Sequence, residues 1–426
     1  MSVTIQERRD TAANWTAANP VLHSGEFGVE TDTSKLKLGD GATTWTALAY
    51  WGGGGTSGLP QIAGSAATVG PSQFITPVNF ATWRAALARV RSGTGSAKIM
   101  CVGDSTTSGD WISNVNLTWP TQFTGLLSSY LAPAAQTWGG WHGTQATGAD
   151  TRITVGSGWT LGTSITINYW SSGTSGAILS YAPSSAANGP ASVDSCTIWY
   201  IQNAGHGGFT VNVDGGSTLA TVNSGSPVTA IVTSVTVTFT AGASHTINVV
   251  PTGVGGSVYI LGFDAFLSTA NTIRVYNPAI GGSRAADWAN TSVDYYPGNW
   301  PALIVPDLVI IDLGINDAAA QTLAQYLANM QIVISNCLNA GASVLLKSFV
   351  PSELSSGLVP VETTYVAALP ALAAANGCGY LDGWDRWVSY LVSNAYGYYV
   401  AGNTLHPNGV GCADIAQAVF EVISRV

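Results

Sequence analysis

Residues 97–107 read Ala97-Lys98-Ile99-Met100-Cys101-Val102-Gly103-Asp104-Ser105-Thr106-Thr107, a short apolar run set directly against a Gly-Asp-Ser turn. Ile99-Met100-Cys101-Val102 has the length and unbroken apolar character of a strand buried on both faces, the pattern of a parallel sheet lying between helices. Ile273-Arg274-Val275-Tyr276 and Leu308-Val309-Ile310-Ile311-Asp312-Leu313 repeat that pattern. Residues 319–339 place Leu323, Tyr326, Leu327, Met330, Val333, Ile334 and Leu338 on one side of a helix, and after Gly341 a fourth strand follows at Val344-Leu345-Leu346. Strands alternating with helices predict an α/β fold with a parallel sheet covered on both sides.

In such a sheet the carboxyl ends of the strands form the ligand crevice. The first strand ends in Gly103-Asp104-Ser105, the second in Asn277-Pro278-Ala279-Ile280-Gly281-Gly282-Ser283 and the third in Gly314-Ile315-Asn316-Asp317. The three turns are therefore expected on one rim. There Ser105 presents a hydroxyl among small neighbours, while the Gly282 N–H and the Asn316 amide are donors suited to a developing oxyanion. Near the end, Gly402-Asn403-Thr404-Leu405-His406-Pro407-Asn408 puts a histidine in a loop before a helix carrying Ile415, Val419 and Ile423.

Of the 426 residues 46% are hydrophobic and only 9% are charged, against roughly a quarter in an average soluble domain, so a highly charged disordered chain is excluded. With 14 Lys+Arg against 23 Asp+Glu the net charge is −9 and no basic cluster occurs, which argues against nucleic-acid binding and against an anionic membrane surface. No run reaches the length of a spanning helix, and the N-terminus lacks a basic and then apolar leader, so neither membrane insertion nor a signal peptide is expected. Cys101, Cys196, Cys337, Cys378 and Cys412 are scattered and odd in number, which reads as buried thiols rather than a disulfide framework or a zinc site.

No Lys or Arg occurs between Arg152 and Arg274, and period-two alternation marks Ile165–Tyr169, Phe209–Val213, Val235–Phe239 and Thr246–Val249, with a hairpin turn at Asp214-Gly215-Gly216. Residues 135–270 thus read as an antiparallel β-sandwich inserted between the first two α/β strands. Upstream, Phe80, Trp83, Leu87 and Val90 have helical spacing within a connecting segment at 59–95, and Gly52 to Gly58 reads as a linker. Residues 1–58 comprise that linker and a small β module with turns at Asn19-Pro20, His23-Ser24-Gly25 and Gly39-Asp40-Gly41.

Two resemblances follow from these residues. The order of Gly25-Glu26-Phe27-Gly28 and Gly39-Asp40-Gly41, after Thr11-Ala12-Ala13-Asn14-Trp15-Thr16, resembles a module at the start of many bacteriophage tail-fibre and receptor-binding proteins; it implies virion attachment or trimerisation. The four turns around Ser105, Gly282, Asn316 and His406, in that order, resemble the SGNH (GDSL-type) hydrolases. That resemblance covers 96–134 and 271–426. It implies a flavodoxin-like three-layer α/β/α domain, Ser105 as nucleophile, His406 as general base, an oxyanion hole of Ser105, Gly282 and Asn316, and no metal or organic cofactor.

Together they imply a phage tail-associated carbohydrate esterase that removes acyl groups, acetyl above all, from a host surface polysaccharide. It would sit on the virion tail as a homotrimer beside other tail proteins and act outside the host cell. The alternative is a receptor-binding tail protein that keeps the hydrolase fold and binds glycan with little turnover. Asp104 and Asp317 are supporting residues, Asp317 being read first as a cap for the helix that follows it. Asn403 departs from the family, whose Asp-x-x-His block has an aspartate three residues before the histidine. Three outcomes are open: a slow Ser105/His406 dyad, a replacement carboxylate such as Asp382 or Asp385, or a non-catalytic descendant. His23, His142, His206 and His245 read as turn or surface residues. Of Trp138, Trp141, Trp159, Trp170 and Trp199, most read as core, and an exposed ring among them would be suited to stacking on sugar.

Overall fold

In the apolar run that opens the α/β region, successive side chains leave on opposite faces, and each face meets its own layer of helices. The computed structural model describes residues 8–33, 35–48, 50, 80–112, 114–140, 150–164, 166–225, 230–353 and 359–425. The expected linker from Gly52, Trp141 and His142 lie outside the described residues. The chain divides into two units, Met1–Thr68 and Val69–Val426.

The larger unit is built on six parallel strands: β1 (Ala97–Gly103), β2 (Ala134–Gln136), β3 (Ile273–Tyr276), β4 (Leu308–Asp312), β5 (Ser343–Lys347) and β6 (Gly379–Leu381). Their order is β6-β5-β4-β1-β3-β2. Without the three-residue edge strand β2, this is the flavodoxin-like order, with the reversal of direction beside β1. Ile99 and Cys101 of β1, with Val275, Ile310 and Leu345, pack under helices Ala81–Arg91, Trp119–Tyr130 and Gly409–Ile423. Met100 and Val102, with Tyr276, Ile311 and Leu346, pack on the other face under Leu323–Asn339 and Val359–Ala375. The three-layer α/β/α fold follows from that alternation. All five cysteines are buried and free.

Between β2 and β3 the chain forms two antiparallel sheets whose inner faces share one core, including Tyr181, Phe209, Val211, Ile247, Ile198, Ile260 and Phe263. The Asp214-Gly215 turn has φ of 56° and 70°, the left-handed pair of a tight hairpin, and Gly216 N–H closes it on Val213 O at 2.9 Å. The expected strand at 165–169 is displaced. Ser164 N–H donates to Ile167 O at 3.0 Å, closing a turn, and the strands run Thr160–Thr163 and Asn168–Ser172. The serine hydroxyl also accepts from Thr166 and Ile167 N–H, so local hydrogen bonding overrides the alternation.

The smaller unit has a three-stranded sheet, with Arg8–Asp10 parallel and Leu36–Leu38 antiparallel to Phe27–Glu30. It also holds a helix, Ala12–Ala18, that the turn-based reading did not anticipate. Thr11 caps it by accepting from Asn14 N–H, and Trp15 stacks on Trp45 with ring centroids 4.1 Å apart. Among the described residues, no helix is long and apolar enough to cross a membrane.

A buried cation helps to fasten the insert to the sheet. Arg152 is 1% exposed, pairs with Asp150 at 2.7 Å, and donates to Gln136 O at 2.7 Å and to Trp138 O, the carbonyls where the chain leaves β2. Arg152→Met removes the cation from the buried Asp150 carboxylate and is expected to cost about 3–5 kcal/mol in urea unfolding. The double variant with Asp150→Asn should recover part of that loss. A single variant as stable as wild type would show that the pair does not fasten this junction.

Candidate functional site

β1 ends at Gly103 and passes at once into the short helix Ser105–Ser108. Asp104 caps it, Oδ1 accepting the Thr106 N–H and hydroxyl at 2.9 Å each. A Cβ on residue 103 would lie 2.3 Å from Thr107 Oγ1, so this tight strand-to-helix passage requires glycine. Ser105, the first helical residue, is 4% exposed, and among the described residues nothing accepts its backbone N–H.

The turn after β3 is tied to the same point. Ile280 N–H and Ser283 Oγ donate to Gly103 O at 3.1 and 3.2 Å, and Asn277 Nδ2 donates to Thr107 O at 3.0 Å. Gly282 has φ +76°, a left-handed conformation that any side chain would strain, and its N–H also finds no acceptor among the described residues. From the turn after β4, Asn316 Nδ2 donates to Ser283 O at 3.1 Å. The Gly282 turn and the Asn316 amide are thereby joined beside Ser105.

Asp317 caps a helix, but not the one that follows it in sequence. Both its oxygens accept from Ala285 N–H, at 3.0 and 3.1 Å, at the start of helix Ala285–Ala289, whereas Thr322 caps the following helix. Burial pushes the Asp317 carboxyl up to about 7. Burial together with the charge of Asp312 pushes Asp104 up to about 8. Sequence reasoning missed the pair beneath them: Asp312 and Lys347, the last residues of neighbouring strands β4 and β5, meet at 2.9 Å, and Asp312 also accepts from Thr107 Oγ1 at 3.1 Å. The signal was present, since each apolar run ends in a charge of opposite sign.

His406 reaches the rim from a loop closed by Val400 N–H on His406 O at 3.0 Å, just before the helix that Asn408 caps. Its Nε2 lies 3.0 Å from Ser105 Oγ and its Nδ1 3.2 Å from Asn403 Oδ1. The same Oδ1 accepts the backbone N–H groups of Leu405 and His406 at 2.9 Å each. Two fixed donors aimed at one atom identify it as the amide oxygen, because the NH2 group has no lone pair to offer them. Nδ1 must then carry the imidazole proton, and Nε2 presents a lone pair to Ser105. Burial pushes His406 down to about 4.

Neither Asp382 nor Asp385 replaces Asn403: Asp382 caps its own helix through Asp385 N–H at 2.9 Å, and neither is among the described partners of His406. His206 and His245 hold loop or turn atoms at Ile201, Thr240 and Asp214. Trp138, Trp159 and Trp170 are buried and Trp199 is half-buried. Sequence reasoning also passed over Trp111, whose exposed ring stacks on His406 with centroids 5.6 Å apart.

Residues 239–413 match the GDSL-like Lipase/Acylhydrolase family, and residues 5–43 match the Major tropism determinant N-terminal domain. The hydrolase match starts within the insert, so Ser105 lies outside it and joins the other turns through the fold. No curated protein matches the chain. A solved structure titled as a peptidoglycan O-acetylesterase in action has a TM-score of 0.60 at 16% identity, covering 81% of this chain and 97% of that one. A family two carbohydrate esterase from Cellvibrio japonicus covers 65% of this chain and 95% of its own at 14% identity, with a TM-score of 0.29. The α/β domain has the fold of the GDSL-like (SGNH) hydrolases, joined in this chain to a segment of the phage tropism-determinant N-terminal type.

Proposed function

We propose that the protein is a serine esterase that removes acyl groups, chiefly acetyl, from a host surface polysaccharide, carried on a phage tail through residues 1–58. The observation that carries this reading is the ordered row Ser105 Oγ, His406 Nε2, His406 Nδ1, Asn403 Oδ1, with the imidazole in the tautomer a general base needs. In the serine-protease triad an acid-to-amide change is harmful because it imposes the wrong tautomer. Here the two backbone donors prevent the amide flip that would do so. The tropism-type segment supports the virion setting, in which the chain is a homotrimer beside other tail proteins.

In this mechanism Ser105 Oγ attacks the ester carbonyl while its proton passes to His406 Nε2. The carbonyl oxygen, now negative, takes hydrogen bonds from the Ser105 and Gly282 N–H groups and from Asn316 Nδ2, which leaves Ser283 O. Collapse breaks the bond to the sugar oxygen, which receives the proton from His406. Water, deprotonated by His406, then releases the acid from Ser105.

Ser105→Ala should abolish release of acetate from host envelope and from 4-nitrophenyl acetate with the fold unchanged by circular dichroism. Full activity in that variant would remove Ser105 from the mechanism, and an inert wild type would favour a glycan-binding protein. Asn316→Ala or Gly282→Val should each lower kcat on the order of 10² to 10³.

Protonated His406 cannot act as base, so kcat/KM should fall as pH drops through about 4 and stay level above it. Asn403→Asp places a carboxylate against Nδ1, favours the imidazolium, and should move that acid limb upward while raising kcat on the plateau. An unmoved limb would show that residue 403 does not govern the ring. Asp317→Asn keeps an acceptor for Ala285 N–H and should retain most of the rate. A loss as large as that of Ser105→Ala would instead give Asp317 a direct catalytic role.

A further inference from the structure

Trp111 is the one exposed tryptophan among the described residues, 46% accessible, and it lies three residues beyond the Ser105–Ser108 helix. Its backbone has φ +70°, a conformation that a bulky side chain adopts only when its surroundings compel it. The cause is visible on either side. Gly109 ends the short helix at φ +91°, Ile112 N–H returns to Gly109 O at 3.1 Å, and Ile112 enters the core at 7% exposed. The left-handed residue reverses the chain between them and leaves its indole outside, stacked on His406 at 30° between ring planes.

A core aromatic would be buried, and a residue kept only for the reversal would be glycine or asparagine. An exposed indole held against backbone preference beside the base is arranged for an external partner. The mechanism identifies which part of the substrate that is. His406 must hand its proton to the leaving oxygen, so the sugar that carries the ester lies on the imidazole side of Ser105, the side Trp111 covers. Leu117 and Val410 are exposed as well, and Leu117 lies against Gly409, where an added Cβ would meet it at 3.2 Å.

We propose that Trp111 is the platform for the pyranose ring bearing the scissile ester, its indole face against the C–H face of the sugar, so that selectivity for sugar esters originates here and not in the inserted sandwich. This rests on the esterase reading above. Trp111 binds the leaving group and takes no part in proton transfer.

The test compares wild type, Trp111→Ala and Trp111→Phe on methyl tetra-O-acetyl-glucopyranoside and on ethyl acetate, whose leaving group has no ring. Trp111→Ala should raise KM for the glucoside about tenfold with little change in kcat, and Trp111→Phe should restore most of it. On ethyl acetate KM should stay within about twofold, since no ring stacks there. Equal losses on both esters, or a shift of the acid limb with KM unchanged, would overturn the platform and leave Trp111 as a cover over His406. A second arm measures calorimetric binding of the same glucoside to Ser105→Ala with and without Trp111→Ala, where about tenfold weaker binding is expected. Wild type inert on both esters would refute the esterase reading alone. Binding that is undetectable with Trp111 present, or unchanged on its removal, would refute the platform.

Discussion

The carbonyl oxygen of Gly103 holds the site together. β1 delivers it beside Asp312 of β4, and from the other neighbour, β3, the following turn sends back Ile280 N–H and Ser283 Oγ, which both donate to it. The strand that presents Ser105 and the turn that presents Gly282 are therefore registered to each other through one backbone atom. Asn316 adds the third member by donating to Ser283 O. Parallel strands bring loops to one rim in general. This hydrogen bonding turns a shared rim into a fixed distance, and catalytic donors must be held within fractions of an ångström.

Beneath that layer the domain keeps several carboxylates out of water, and each is made tolerable differently. Asp312 is paired with Lys347 and also accepts from Thr107, the residue against which Gly103 packs. Burial pushes the Asp104 and Asp317 carboxyls above the usual carboxylate range, to about 8 and about 7. Both are spent on backbone N–H groups at helix starts, where a carboxyl serves as a cap. Each carboxyl behind the Ser105 turn is thus either paired with a cation or held where burial disfavours its charge, which suits the oxyanion of the proposed mechanism.

Much of this was legible in the sequence because buried parallel strands announce themselves as unbroken apolar runs and because turns rich in glycine mark their ends. The four functional turns kept their order across an insert of more than a hundred residues, so the reading could place Ser105, Gly282, Asn316 and His406 on one rim. What stayed hidden depends on partners distant in sequence or on local competition. β2 and β6 are three residues each, too short to carry a period. Ser164 diverts an alternating stretch into a turn. Asp317 serves a helix 32 residues upstream, which no adjacent pattern reveals. Trp111 was not legible because its exposure beside His406 goes with a backbone conformation that its residue type disfavours.

The same geometry bears on how an asparagine can serve at position 403, where the family resemblance leads one to expect an aspartate. Moving His406 from its ordinary 6.5 to about 4 makes protonation of the free ring harder by about 3 kcal/mol, at 1.36 kcal/mol per unit. That penalty belongs to an isolated imidazolium. In the proposed acylation the charge on His406 arises together with the oxyanion, and two opposite charges roughly 5 Å apart at an effective dielectric constant near 20 attract by about 3 kcal/mol. The two quantities are of the same size, so in the proposed mechanism the oxyanion would supply the counter-charge that Asn403 cannot. What that mechanism asks of the side chain at 403 is geometry, to keep the proton on Nδ1 and the lone pair on Nε2, and an amide oxygen fixed by two backbone N–H groups has that geometry.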